Sequence, residues 1–166
     1  MYDAKWDLRG LQAMIDTLQT VTADTRGKSG RSALRSAAKI VVGAARQNAA
    51  KIDDPKTAES IEKNIVQRFS TKFARTTGDL KVRVGVLGGA RNLESRGEFT
   101  TGRSASENPG GDTFYWRYLE FGTSKMAPRP FMTPALAEHT DDVEAEFTRV
   151  LVKNIDRILR KRNRRA

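Results

Sequence analysis

The sequence predicts an α+β domain: a small antiparallel sheet packed with two N-terminal helices and a long C-terminal helix, with one long glycine-rich loop. Three patterns carry this. Apolar residues recur at three- and four-residue steps near both ends of the chain, as helix faces require. Leu80 to Leu87 alternates apolar and polar residues, as a half-buried strand requires. Between 88 and 112 the apolar residues thin out to little more than Leu93 and Phe99, while six glycines accumulate. A chain of 166 residues is most simply one domain, here 1–166, and buries roughly 70% of its unfolded surface.

Asp7 to Val21 is the first helix, striped by Leu8, Leu11, Ile15 and Leu18 and widened by Met14 and Val21. Asp24 to Gly30 reads as a polar turn. Arg31 to Lys51 is the second helix, with Ser29 or Ser32 as N-cap and Leu34, Ala38, Val41 and Ala45 as its stripe. Its seven alanines let another element approach closely, although high helix propensity alone accounts for any one of them. Asp53-Asp54-Pro55 is a turn or helix-start signal, and Thr57 to Asn64 a short helix. Ile65 to Ala74 alternates weakly. Together with Leu80–Leu87 it makes a hairpin turning at Gly78-Asp79, with Lys81, Arg83 and Gly85 outward. Segment 88–112 cannot bury enough surface to order itself and is expected to be a flexible loop that orders against a neighbouring subunit. Gly85 to Gly89 lacks the Gly-Lys-Ser/Thr ending of a phosphate loop.

Residues 113–121 fit two readings. As a strand, Phe114, Trp116 and Tyr118 share a face; as a helix, Tyr115, Tyr118 and Leu119 do. Gly122 just beyond fits a helix C-cap, which favours the helix. Gly122 permits a sharp reversal, Pro128 and Pro130 hold the following chain extended, and Phe131 is an apolar anchor. Thr133 as N-cap and Pro134 at the first helical position then launch a helix running to about Arg162. Val143, Phe147, Val150, Leu151, Ile155, Ile158 and Leu159 form its stripe, with acids in its first half and cations in its second, as the helix dipole favours.

The residues Tyr115, Leu119-Glu120-Phe121-Gly122-Thr123, a short polar spacer, Ala127, Pro130-Phe131 and Pro134-Ala135 resemble the signature of a family of tailed-phage neck proteins. These are the tail-completion or head–tail joining proteins, akin to the minor tail protein Z of lambda-like phages. From residue types alone, the same stretch also reads as a hairpin or helix corner packed in any core. The two N-terminal helices resemble the helical part of that family. The chain keeps Pro55, Thr57, Ser60 and Ile61 of a further family segment but has Ala58 where a glycine is expected. The resemblance implies a structural virion protein, made in the host cytoplasm, that assembles as a homo-oligomeric, typically six-fold ring at the head–tail junction. Its implied neighbours are head-closure or adaptor, tail-terminator and tail-tube proteins, and genomic DNA passes through its lumen. A tail-terminator or head-closure role in the same neck is the nearest alternative, and a small basic nucleic-acid-binding protein is a further one. The eleven motif residues above are then an assembly element.

The formal charge is +10, concentrated at the end of the chain in Arg157, Arg160, Lys161, Arg162, Arg164 and Arg165; residues 160–166 form a basic tail. Such a cluster fits DNA phosphates or an acidic protein surface, against the plainer reading of a solvated helix end. No run nears the ~20 apolar residues that span a membrane, and no signal-peptide apolar region opens the chain. With no cysteine and a single histidine, His139, thiolate and multi-histidine metal sites are ruled out, and a serine triad would need a histidine set among acids. Asp141 and Asp142 point to different sides of a helix, and Glu120 reads as a hydrogen-bond acceptor for Thr123 or a backbone amide. The expectation is no catalytic residue, no metal, no cofactor and no enzymatic activity.

Overall fold

A computed structural model describes residues 9–53, 59–87 and 108–164, with side chains in the first helix from Met14 onward. Helix α1 (Arg9–Arg26) and helix α2 (Lys28–Ala50) are separated only by Gly27. The polar turn predicted over 24–30 is therefore contracted to one residue. Its polar side chains are satisfied within the helices: the Thr25 hydroxyl donates to the Val21 carbonyl (2.7 Å), and Ser29 bonds the Asp24 carboxylate. With their hydroxyls satisfied, one by a carbonyl of its own helix and one by a carboxylate across Gly27, Thr25 and Ser29 remain helical. Neither Ser29 nor Ser32 caps α2; its N-cap is Gly27, with no side-chain bond.

α2 is the hub, touching α1, both strands and three of the later helices. Its buried stripe is Ala33, Ala37, Val41, Ala45 and Ala49, one step round from the predicted Leu34–Ala38 line. The alanines face the body because their small side chains allow close backbone approach on several sides at once. Leu34 and Ala38 instead flank a groove.

The short helix predicted over 57–64 is described only as α3 (Ile61–Asn64); Pro55, Thr57 and Ala58 lie outside the described residues. It is held by two caps. The Ser60 hydroxyl accepts from the Lys63 amide (3.4 Å). The Asp53 carboxylate accepts from the amides of Ile61 (3.2 Å) and Glu62 (3.3 Å). Strand β1 (Ile65–Phe69) follows directly and pairs antiparallel with β2 (Val82–Val86), Ile65 opposite Val86 and Phe69 opposite Val82.

The hairpin holds, but its connection differs from the predicted turn. β1 stops at Phe69, and helix α4 (Thr71–Thr77) fills the gap, closed by Gly78 at φ +77°. Alternation ends at Phe69, and within the helical turn that follows the Thr76 and Thr77 hydroxyls find acceptors in the Lys72 and Phe73 carbonyls (3.1 and 3.0 Å). The face away from the core carries Arg68 directly opposite Arg83, while Gly85, predicted outward, is buried.

Residues 88–107 lie outside the described residues, so most of the predicted loop does too. The ambiguous 113–121 stretch is helical as α5 (Trp116–Phe121). The long helix predicted from Pro134 is two: α6 (Met132–Ala137) and α7 (Thr140–Asn163). The break at Glu138-His139 lets α6 drive Ala135 into the core while α7 lies along α2; α7 has no fully buried residue. The core is Ile61, Ile65, Val86, Phe131, Ala45, Ala49 and Ala135. Among the described residues no helix is long and apolar enough to cross a membrane.

Candidate assembly site

The motif residues form one corner, centred on Glu120 near the end of α5. Glu120 is 4% exposed. One carboxylate oxygen accepts from the amides of Phe131 (2.8 Å) and Met132 (3.0 Å). The other accepts from the amide (2.9 Å) and hydroxyl (2.6 Å) of Thr133. The first N–H groups of a helix lack partners within it, and here a carboxylate from another helix supplies them. Thr133, predicted as the N-cap of the helix starting at Pro134, instead lies inside α6. Phe131 holds the N-cap position without a side-chain cap, and the Thr133 hydroxyl is spent as a donor to Glu120. Glu120 does bind backbone amides as predicted, though those of α6 and not Thr123.

Burial pushes the Glu120 pKa up, but the Thr133 hydroxyl and the three amides outweigh it, and the carboxyl titrates below its ordinary value. The group is a structural anion. Every oxygen is occupied by donors, which leaves it unsuited to proton transfer.

Between the two ends of this clamp the chain makes a tight excursion. Gly122 sits at φ +73°, and a Cβ there would lie 2.8 Å from the Met126 carbonyl oxygen and 2.9 Å from the Pro128 nitrogen. Thr123 and Met126 exchange backbone bonds (2.9 and 3.3 Å), and the Arg129 amide donates to the Leu119 carbonyl (2.7 Å). Phe131 is fully buried and meets Trp116 edge-on, centroids 6.5 Å apart. Thus Leu119, Glu120, Gly122, Phe131 and Ala135 hold the corner from inside. Tyr115 is half-buried as the N-cap of α5, and Pro134 is half-buried in α6. Phe121 (72% exposed), Thr123, Ala127 and Pro130 lie on the surface.

A second network escaped the sequence reading. Asn64, fully buried, donates to the Gly111 carbonyl (3.0 Å) and the Thr113 hydroxyl (2.8 Å), and accepts from the Gly110 amide (2.8 Å). The Ser60 amide donates to the Gly110 carbonyl (2.8 Å), and the Thr113 hydroxyl donates to the Leu87 carbonyl (3.1 Å). The end of the glycine-rich segment is thereby docked on α3 and β2. A Cβ on Gly110 would lie 1.9 Å from the Ser60 carbonyl oxygen. The only signal in the sequence was the Gly110-Gly111 pair, which marks close backbone approach as readily as flexibility.

Of the basic residues, Arg157, Arg160, Lys161 and Arg164 lie along one face of α7 together with Arg149 and Lys153. Arg149 is engaged by Glu146 through two 2.8 Å contacts. Arg162 is half-buried away from that face, and Arg165 lies outside the described residues. His139 contacts Asp142 (3.1 Å) at the start of α7. Among the described residues no group of three or more His, Asp or Glu side chains is placed to hold a metal.

The family model HK97-gp10-like, described as "Bacteriophage HK97-gp10, putative tail-component", matches residues 12–122, about two thirds of the chain. The match runs from α1 through α5 to Gly122. The Pro130–Ala135 half of the motif and α7 lie beyond it. No curated protein and no solved structure matches the chain.

Proposed function

The chain belongs to the HK97-gp10-like family of phage tail components, and from that premise we propose that it forms a homo-oligomeric ring at the head–tail junction, completing the tail around the DNA channel. Phage tail components of this kind are structural proteins of the virion; the ring, its place in the neck and the lack of an enzymatic role are the proposal. One observation supports assembly most directly. The lone chain leaves large apolar side chains bare on several elements: Met14 (60% exposed) and Leu18 (56%) on α1, Phe121 (72%) at the corner, and Val152 (51%) on α7. Met14, Ile15 and Leu18 stand three and four residues apart on α1 and make one bare apolar stripe, the kind of surface that marks subunit contacts.

In this reading the Glu120 clamp fixes the angle at which α6 and α7 leave α5, so that Phe121 and α7 are presented at fixed positions. Head-closure, terminator or tube proteins sit above and below the ring. Counting copies of this chain against a tail-tube protein by peptide mass spectrometry of purified particles tests it. A low copy number matching one ring supports the reading, and absence from particles overturns it. Imaging of the junction then separates tail completion from a terminator or head-closure position.

A further inference from the structure

Among the described residues, the sheet ends in an open edge beside an apolar slot. The Leu87 amide donates to the Asn64 carbonyl (2.8 Å) and the Ser70 amide to the Lys81 carbonyl (2.9 Å). Both bonds fit the register that sets Ile65 against Val86. Alternation along an antiparallel strand then turns the backbone groups of Lys81, Arg83, Gly85 and Leu87 toward β1, and those of Val82, Val84 and Val86 away from it. Among the described residues, the outward groups of these three valines have no backbone partner. On the outer edge of β1, Arg46 occupies the Ile65 carbonyl (2.8 Å).

Beside β2 lies a groove of about 730 Å³. Leu34 and Val41 of α2 form its floor, Val82 and Val84 one wall, and Leu136 and Val143 of α6 and α7 the other. None of its lining residues is charged. A slot with a free strand edge on one side and apolar walls elsewhere has the chemistry of β-strand addition: main-chain bonds to the edge, and alternate side chains into the groove.

The occupant is legible in the sequence. Residues 1–8 lie outside the described residues, and there Tyr2, Ala4, Trp6 and Leu8 alternate with Asp3, Lys5 and Asp7. One face of such a strand is apolar with two large aromatics, and the other is charged. Seven residues from Tyr2 to Leu8 span roughly 23 Å when extended, enough to run the whole of β2. α1, which follows this segment directly, packs on α2 and α7 yet leaves Met14 and Leu18 more than half exposed.

We propose that Tyr2–Leu8 of a neighbouring copy adds as a strand to the outer edge of β2, with its apolar face in the slot. Each copy then gives one strand and receives one through two different surfaces. Such a head-to-tail contact closes into a ring, so the inference rests on the ring reading and names the contact that builds it.

Two variants separate donor from acceptor in the full-length chain. Ala4→Pro/Trp6→Asp spoils the donor segment and leaves the slot intact. Val84→Pro removes an outward N–H that the β1 ladder does not use, which is where an edge strand tolerates proline; Ala38→Phe, filling the groove, serves if the proline variant does not fold. A fluorescent peptide of residues 1–8 is expected to bind the Ala4→Pro/Trp6→Asp chain. Adding Val84→Pro or Ala38→Phe to that chain is expected to weaken binding on the order of tenfold or more. By native mass spectrometry each single-function variant should be monomeric alone and the two should form a one-to-one pair when mixed. Peptide binding indifferent to both acceptor changes, a mixture with no pair, or a wild-type chain monomeric at every concentration overturns the proposal; in the last case a slot closed to added peptide shows the chain filling its own groove. If those fail while particles still carry one ring of copies, only the strand contact falls. If the chain is missing from particles, the ring reading falls.

Discussion

The Glu120 carboxylate holds Thr133 by both its amide (2.9 Å) and its hydroxyl (2.6 Å), joining two helices across the turn at Gly122. Removing one partner of a buried charged hydrogen-bond set leaves the others unsatisfied. Glu120→Ala orphans the amides of Phe131, Met132 and Thr133 at once, and is expected to cost about 3 kcal/mol. For a chain of this size that lowers the melting temperature by roughly 6–12 °C. Thr133→Val, which loses only the hydroxyl donor, should cost about 1 kcal/mol. Equal melting temperatures for Glu120→Ala and wild type would show that α6 is capped by other means.

The same clamp sets a pH dependence. The folded-state pKa of Glu120 lies below its ordinary value, near 4.3 in an unfolded chain. A depressed carboxyl contributes stability that is complete above the unfolded pKa and is lost as pH falls through the folded one. Urea midpoints of wild type and Glu120→Gln, measured from pH 7 down to pH 3, should therefore converge on acidification. A gap that stays constant would mean that Glu120 does not titrate in this window.

Gly122→Val tests the turn. The valine must adopt φ near +73° and place its Cβ 2.8 Å from a carbonyl oxygen and 2.9 Å from a proline nitrogen, all backbone atoms. Strain at such a position costs about 1–3 kcal/mol before any clash is counted. A folded variant with unchanged thermal stability would show that the Thr123–Met126 loop can open without consequence.

What the sequence made legible follows from how local each cause is. The helical stripes, the alternation of Val82, Val84 and Val86, and the helix-ending role of Gly122 depend on neighbours within a turn or two, and they emerged. Glu120 was recognisable as an acceptor, but its partners were not, because they lie eleven to thirteen residues on and are set by the path the prolines impose. The α4 insertion was missed because Ser70 to Thr77 alternates too weakly to exclude either state. The Asn64 network was missed because an asparagine before a strand carries no signal until Gly110 and Thr113 are brought beside it.

Asn64→Asp tests that network. The aspartate keeps the shape but loses the amide donor, turning an acceptor toward the Gly111 carbonyl and the Thr113 hydroxyl. A buried polar group left facing an acceptor costs about 1–3 kcal/mol, more when charged. The Gly110 amide should exchange with deuterium faster than in wild type, while amides in the middle of α7 keep their rates. Unchanged exchange at Gly110 would mean that its contact with Ser60 suffices to hold the segment.

The basic face of α7 is separable from the fold. Arg157, Arg160, Lys161 and Arg164 are exposed and, among the described residues, form no ion pair, whereas Arg149 on the same face is held by Glu146. Exposed charges of this kind add little to stability, so changing all four to alanine should leave the melting temperature nearly untouched. If they meet the phosphates of DNA in the channel, each contact releases condensed counterions and contributes about 0.9 to the slope of log affinity against log salt. Binding of a duplex of about 30 base pairs should then lose roughly 3–4 from that slope in the fourfold variant. Alanine at an equal number of cations on the hairpin side, Lys63, Lys72, Arg75 and Lys81, changes net charge by the same amount and should lower the slope far less. Equal losses in the two variants would mean that DNA senses only the net charge of the chain, and that the α7 face is free to meet an acidic protein neighbour instead.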